Sequence, residues 1–226
     1  MARDAAPEAC RGIESMRRRF CLESQTDAEV TEGMAGMSGK GYSIVFSSRT
    51  GNTAELAEAV REALPEGTCE YFGSVNGDDG GNDRGYAGVG CSRTSSAIPA
   101  SETLFVGFWT NQGVADRETQ QLLGQLRNRN IFLFGTAGFG GSEAYFQAIL
   151  DKTKAFIDDS NTAIGTYMCQ GKMPLSVRER YMKMKEQPDH MPNIDAMIEN
   201  FDKALSHPDA DDLKKLANLV SEAIEQ

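Results

Sequence analysis

Five short runs of consecutive apolar residues alternate with longer stretches whose apolar residues recur every three or four positions, and this rhythm constrains the fold more than any other feature. The runs are YSIVF (Tyr42–Phe46), TCEYF (Thr68–Phe72), TLFVGF (Thr103–Phe108), NIFLF (Asn130–Phe134) and TAIGTY (Thr162–Tyr167). Each is too short for a helix and apolar at successive positions, as expected of strands covered on both faces. Between them, Leu56, Val60, Ala63 and Leu64 share one helical face that stops at Pro65 and Gly67. Ala115, Leu122, Leu123 and Leu126 form a second stripe, and Phe146, Ile149, Leu150, Thr153 and Ile157 a third. The pattern predicts an α/β domain: a five-stranded parallel sheet with helices on both faces and strand order 2-1-3-4-5.

Two segments depart from the rhythm. Between the second and third strands, residues 73–101 are rich in glycine and polar residues where a crossover helix would stand, which predicts an irregular loop. After the fifth strand the chain carries more helix than the sheet needs. An extra helical segment is expected within 172–191, centred on Ser176 to Gln187. A further stripe (Ile194, Met197, Ile198, Phe201, Leu205) and a last one (Leu213, Leu216, Val220, Ile224) follow, with Pro208 between them and Asp209 as a cap. Residues 1–40 show no sustained apolar period and are expected to be a poorly ordered leader ahead of one domain at 41–226; Met34 or Met37 could serve as an alternative start.

Charge and cysteine usage exclude several function classes. The formal net charge of −10 and the lack of a long basic run argue against nucleic acid as a partner. Five scattered cysteines without a C-x-x-C pair offer neither a zinc site nor a dithiol redox centre, and no metal constellation is expected. No apolar stretch approaches the roughly 18 residues of a membrane span, so the expected location is the cytoplasm. Cys169 and the lone His190 and His207 read as packing or turn residues rather than reactive groups, and Met182 and Met184 as helix packing or a partner surface.

The chemistry concentrates at three strand ends. FSSRTGNTAEL (Phe46–Leu56) places hydroxyls and a glycine where a strand turns into a helix. A helix amino terminus offers unpaired N–H groups and partial positive charge, so this turn fits a phosphate. It has neither the lysine of a nucleoside-triphosphate loop nor a three-glycine dinucleotide fingerprint, which favours a terminal phosphomonoester; a plain capped helix is the competing reading. The third strand ends in GFWTNQG with the chain's one tryptophan, Trp109, and the fourth in FGTAGFGGSEAYF, where glycines around Phe139 let backbone amides approach a flat polar ring. In the expected strand order these ends meet at the topological switch point.

With those residues the sequence resembles the flavodoxin-like family. SRTGNT (Ser48–Thr53) is similar to its flavin mononucleotide (FMN) phosphate loop, Trp109 to the aromatic that stacks on the flavin ring, and GTAGFGG (Gly135–Gly141) to the second flavin-flanking loop. The resemblance implies the flavodoxin-like three-layer sandwich and noncovalent FMN held by Ser48, Arg49, Thr50, Gly51, Asn52 and Thr53. It extends the contact set to Trp109, Thr110, Asn111 and Gly113, and to Thr136, Ala137, Gly138, Phe139, Gly140 and Gly141. It further implies reversible one-electron transfer to a partner reductase, with redox partners docking through the acidic surface around the cleft. The acidic surroundings disfavour an anionic reduced ring and so make a stronger reductant. An FMN-dependent reductase of quinones or small molecules, and an accessory module without flavin, are the alternatives. Phe139 stands where many members have tyrosine. Thr110 stands where many have a glycine whose peptide flips, which weakens stabilisation of the half-reduced ring. The segment MCQGKMPLSVRERYMKMK, longer than a minimal member needs, together with GTAGFGGSEAYF resembles a subgroup in anaerobic bacteria associated with tetrapyrrole (bile pigment) reduction.

Overall fold

The computed structural model describes residues 41–65, 67–75 and 99–225. The expected leader (1–40) and residues 76–98 of the expected loop lie outside the described residues. The strands are β1 (Tyr42–Phe46), β2 (Cys69–Ser74), β3 (Thr103–Asn111), β4 (Val114–Ala115), β5 (Asn130–Ala137) and β6 (Thr162–Gln170). The helices are α1 (Asn52–Ala63), α2 (Arg117–Gln125), α3 (Glu143–Lys154), α4 (Leu175–Lys185), α5 (Ile194–Ala204) and α6 (Ala210–Ile224).

The sheet order is β2-β1-β3-β5-β6, with β4 paired antiparallel to β3. Setting aside the two-residue β4, this is the expected 2-1-3-4-5 parallel order. Side chains alternate across each strand. Ile44, Phe105 and Phe132 therefore face α1 and α6 with Leu56, Val60, Leu216 and Val220. Val45, Leu104, Val106, Ile131 and Leu133 face α2 and α3 with Leu122, Leu123, Ile149 and Leu150.

The strand glycines make room for phenylalanines on neighbouring strands. Gly107 pairs with Phe134, Phe108 with Gly135, and Phe132 with Gly165. A Cβ on these glycines would lie 2.5, 2.6 and 2.5 Å from the respective ring, closer than side-chain carbons approach. Each ring lies across the backbone beside it.

Helix starts follow from local chemistry. Ser142 accepts from Tyr145 N to cap α3, and Asp209 and Asp212 form a reciprocal capping box at α6, as the Asp209 expectation required. Four strand ends lie beyond expectation: β5 and β6 each run three residues further, to Ala137 and Gln170, so that Cys169 falls inside the last strand and not past it. β2 runs through Ser74, two residues into the expected loop, because Ile44 to Phe46 of β1 give Phe72 to Ser74 a partner. β3 runs past Phe108 to Asn111 and returns as β4. Gln112 and Gly113 both have positive φ (52° and 81°), the two-residue turn whose twist matches that of the strands it joins. No helix among the described residues is long and apolar enough to cross a membrane.

Candidate functional site

The ends of β1, β3 and β5 lie side by side, because β1 pairs with β3 and β3 with β5. Their loops form one cleft. Gly51, at φ 90°, is the left-handed residue that turns the chain from β1 into α1, and no atom lies within 4 Å of where its Cβ would be. The first amides of α1 have no partner within the helix. Ser48 Oγ accepts from Ala54 N at 3.2 Å, and Thr50 Oγ1 accepts from Asn52 Nδ2 at 3.0 Å. Since a hydroxyl carries one donor and two acceptor positions, both keep their proton for an anion.

Thr53 has a different role from the one the sequence suggests. Its side chain is 1% exposed, and its hydroxyl reaches Phe108 O at 3.3 Å and Thr136 Oγ1 at 3.1 Å. It ties α1 to β3 and β5, and the same contact engages the Thr136 hydroxyl. Asn52 is also buried: its Nδ2 donates to Thr50 and, at 2.9 Å, to Lys172 O, so the loop is fastened to the chain beyond β6. Gly171 permits that approach, since a Cβ there would stand 2.5 Å from Asn52 Nδ2.

Trp109 is partly buried at the cleft edge of β3, with the Arg49 guanidinium 5.4 Å from its ring centroid. This cation–π contact brings two predicted site residues together. Thr110 is extended and pairs with Ala115, so the positive φ falls at Gln112 and Gly113 and not at Thr110. Asn111 and Gly113 belong to the hairpin, outward of Trp109. Beyond β5, Phe139 is 44% exposed on the opposite rim and meets Tyr145 edge-on at 6.4 Å. Gly140 and Gly141 have φ of 96° and 131°. Ala137 is buried, and its carbonyl accepts from Gly171 N at 3.1 Å.

Several residues that shape the cleft carry little signal in the sequence. Asp116 is fully buried, caps α2 through Thr119 N and donates its own amide to Trp109 O. Burial pushes its carboxyl above the usual carboxylate range and a hydrogen bond with the Glu118 carboxyl pushes the same way, outweighing the bonds from Thr119 and Ser47. An aspartate three residues before a threonine at a helix start was the available signal. Tyr145, Gln170 and Asn200 support the glycine loop, and no local pattern marks them. Cys169 lies inside β6, buried in the core under α1 and α6. Burial, then the nearby Asp212, pushes its thiol pKa up, which fits the packing reading. His207, Asp209 and Asp212 come together within 4.8 Å, although the sequence suggested no metal constellation. These groups are committed to the α6 cap and to a His207–Asp212 contact at 2.5 Å.

Among the described residues, the buried side-chain oxygens without a hydrogen-bond partner are Asn52 Oδ1 and Thr110 Oγ1. Asn52 opens α1 and Thr110 follows Trp109 near the end of β3, so both residues belong to the segments that border this cleft. A buried polar atom left unpaired costs about 1–3 kcal/mol, so the cleft has the character of a site that a polar ligand completes.

Comparisons with known proteins identify the family. The model of the flavodoxin domain family matches residues 43–221. A flavodoxin-like domain-containing protein BilS of Clostridium symbiosum (strain WAL-14163) is 36% identical over 191 residues, covering 81% of this chain and 95% of the relative. A protein of the same description from Clostridioides difficile (strain CD3) is 28% identical over 171 residues, covering 75% and 88%. Among solved structures, a flavoprotein in complex with FMN from Lactobacillus acidophilus NCFM is similar over 57% of this chain and 93% of its own, at 14% identity and TM-score 0.41. The two-electron reduced Megasphaera elsdenii flavodoxin is similar over 72% and 98%, at 19% identity and TM-score 0.35. With more than half of its length matched by the family and a curated relative above 30% identity, the chain belongs to the flavodoxin domain family.

Proposed function

We propose that the protein is an FMN-binding electron carrier of the cytoplasm that supplies electrons to a partner reductase. The observation that carries this reading is the coincidence of the two unpartnered buried oxygens, Asn52 Oδ1 and Thr110 Oγ1, with the strand ends that also hold the phosphate-type loop and Trp109. FMN has the matching chemistry: a phosphomonoester, a chain of hydroxyl donors and a flat ring. Ser48, Thr50 and the first amides of α1 would hold the phosphate. Asn52 and Thr110 would accept from hydroxyls, and Trp109 and Phe139 would flank the ring.

When bound, the flavin supplies reversible one-electron chemistry, and the protein's own part is to hold and shield it. The buried Thr53–Thr136–Phe108 tie keeps the floor of the cleft in place. Trp109 and Phe139 exclude water from its walls. The excess of acidic residues in the chain favours a basic docking surface on the partner. The resemblance of the segment after β6 to the bile-pigment subgroup, together with the two BilS relatives, supports a tetrapyrrole reductase as that partner.

The test compares FMN with riboflavin, which has the same ring and no phosphate. Several hydrogen bonds to a charged acceptor, each worth about 1.5–3 kcal/mol, imply at least a hundredfold tighter binding of FMN. Equal affinities would overturn the phosphate assignment, and a protein that binds neither would overturn the flavin reading.

A further inference from the structure

The glycine loop after β5 is held from one side by two primary amides that lie outside it. Asn200 on α5 donates from Nδ2 to the Gly138 carbonyl at 3.0 Å. Gln170, the last residue of β6, donates from Nε2 to the Gly140 carbonyl at 2.9 Å. The same Gln170 nitrogen reaches Asn200 Oδ1 at 3.0 Å, so the two side chains act as one unit. Met173 lies against the same side, since a Cβ on Gly138 would overlap it. With positive φ at Gly140 and Gly141, the loop has few restraints of its own on the tilt of its peptide planes.

A trans peptide is planar, and its C=O and the following N–H point in opposite directions. Fixing the Gly138 and Gly140 carbonyls on Asn200 and Gln170 therefore aims the amides of Phe139 and Gly141 the other way. We propose that Gln170 and Asn200 are positioning residues for the flavin ring: they turn the Phe139 and Gly141 N–H groups into the cleft as preset donors to carbonyl oxygens on the ring's polar edge. The inference rests on the flavin reading above. It makes α5, the helix of the Ile194–Leu205 stripe, a functional component of the ring site.

The test titrates the full chain with FMN, riboflavin and lumiflavin, the bare ring, following flavin and tryptophan fluorescence. Asn200→Ala should weaken all three by a common factor of about ten, the loss of one to two aimed hydrogen bonds. Asn200→Asp keeps the acceptor for Gln170 and removes the donor to Gly138; it should show a similar common factor while the thermal midpoint of the apoprotein stays near wild type. This isosteric change carries the test should alanine disturb folding. Thr50→Val, by contrast, should weaken FMN alone. Unchanged lumiflavin affinity in both Asn200 variants would overturn the assignment and leave the flavin reading intact. A loss confined to FMN would also overturn it, tracing the effect to the phosphate loop. Failure of the wild type to bind any of the three would overturn the flavin reading and this inference with it.

Discussion

Replacing Thr53 by valine separates the structural hydroxyl of the loop from the ligand-facing ones. Valine matches threonine in shape and keeps the backbone N–H at the start of α1, so the substitution removes the hydroxyl and nothing else. In the native chain that hydroxyl contacts Phe108 O at 3.3 Å and Thr136 Oγ1 at 3.1 Å with 1% exposure, and water cannot replace it. Two buried neutral hydrogen bonds at about 0.5–1.5 kcal/mol each give a loss of about 1–3 kcal/mol. For a domain of this size each kcal/mol lowers the melting temperature by about 2–4 °C, so a fall of about 2–12 °C is expected. The FMN-to-riboflavin affinity ratio should stay unchanged. Thr50→Val should do the reverse, because Thr50 Oγ1 accepts one bond from Asn52 and offers its proton to the ligand. Thermal melts of the apoproteins and titrations of both ligands measure all the quantities. A Thr53→Val variant with native stability and a reduced ratio would refute the division of labour between these hydroxyls.

Trp109→Ala should weaken FMN by about 1–3 kcal/mol, and wild-type tryptophan emission should be quenched as FMN binds; unquenched emission at saturation would exclude ring stacking. Gly135→Ala places a methyl 2.6 Å from the Phe108 ring and should cost about 1–3 kcal/mol in a urea titration, with Phe108→Leu recovering part of the loss in the double variant. Asp116 has a raised pKa, so the folded state binds its proton more tightly than the unfolded state does, and its own contribution to stability falls as pH rises from about 4 through the raised value, while Glu118, held down by the same hydrogen bond, contributes with the opposite sign. Asp116→Asn keeps a good cap without the charge and should flatten that fall; an unchanged pH profile of melting temperatures would count against it.

The parallel sheet was legible because its strands are buried on both faces, which leaves consecutive apolar residues with no helical period. YSIVF is such a run, and all five of its residues are buried. The phosphate loop was legible because its chemistry is local: hydroxyls, a glycine and a helix start occupy six consecutive positions. The β3–β4 hairpin escaped notice because its turn is Gln-Gly, and glutamine gives little signal for positive φ beside the usual asparagine or aspartate. The strand glycines could be located but not explained, since Gly107 and Gly135 acquire meaning from Phe134 and Phe108 on the adjacent strand.

Thr53 shows where reading by residue type reaches its limit. Ser48, Thr50 and Thr53 look equivalent in sequence, three small hydroxyls around one glycine. Their roles separate because α1 begins at Asn52, one residue before Thr53, which places that side chain on the turn facing the sheet. There the Phe108 carbonyl and the Thr136 hydroxyl are within reach, and both belong to strands far away in the chain. Ser48 and Thr50 precede the helix, on loop backbone that no strand covers. The same logic applies to Asn200: it is an ordinary polar residue on an amphipathic helix until the fold brings the Gly138 carbonyl 3.0 Å from its nitrogen. Ligand donors supplied by backbone depend on whatever fixes the peptide planes. In this chain that support comes from residues 30 and 62 positions away from the carbonyls they hold.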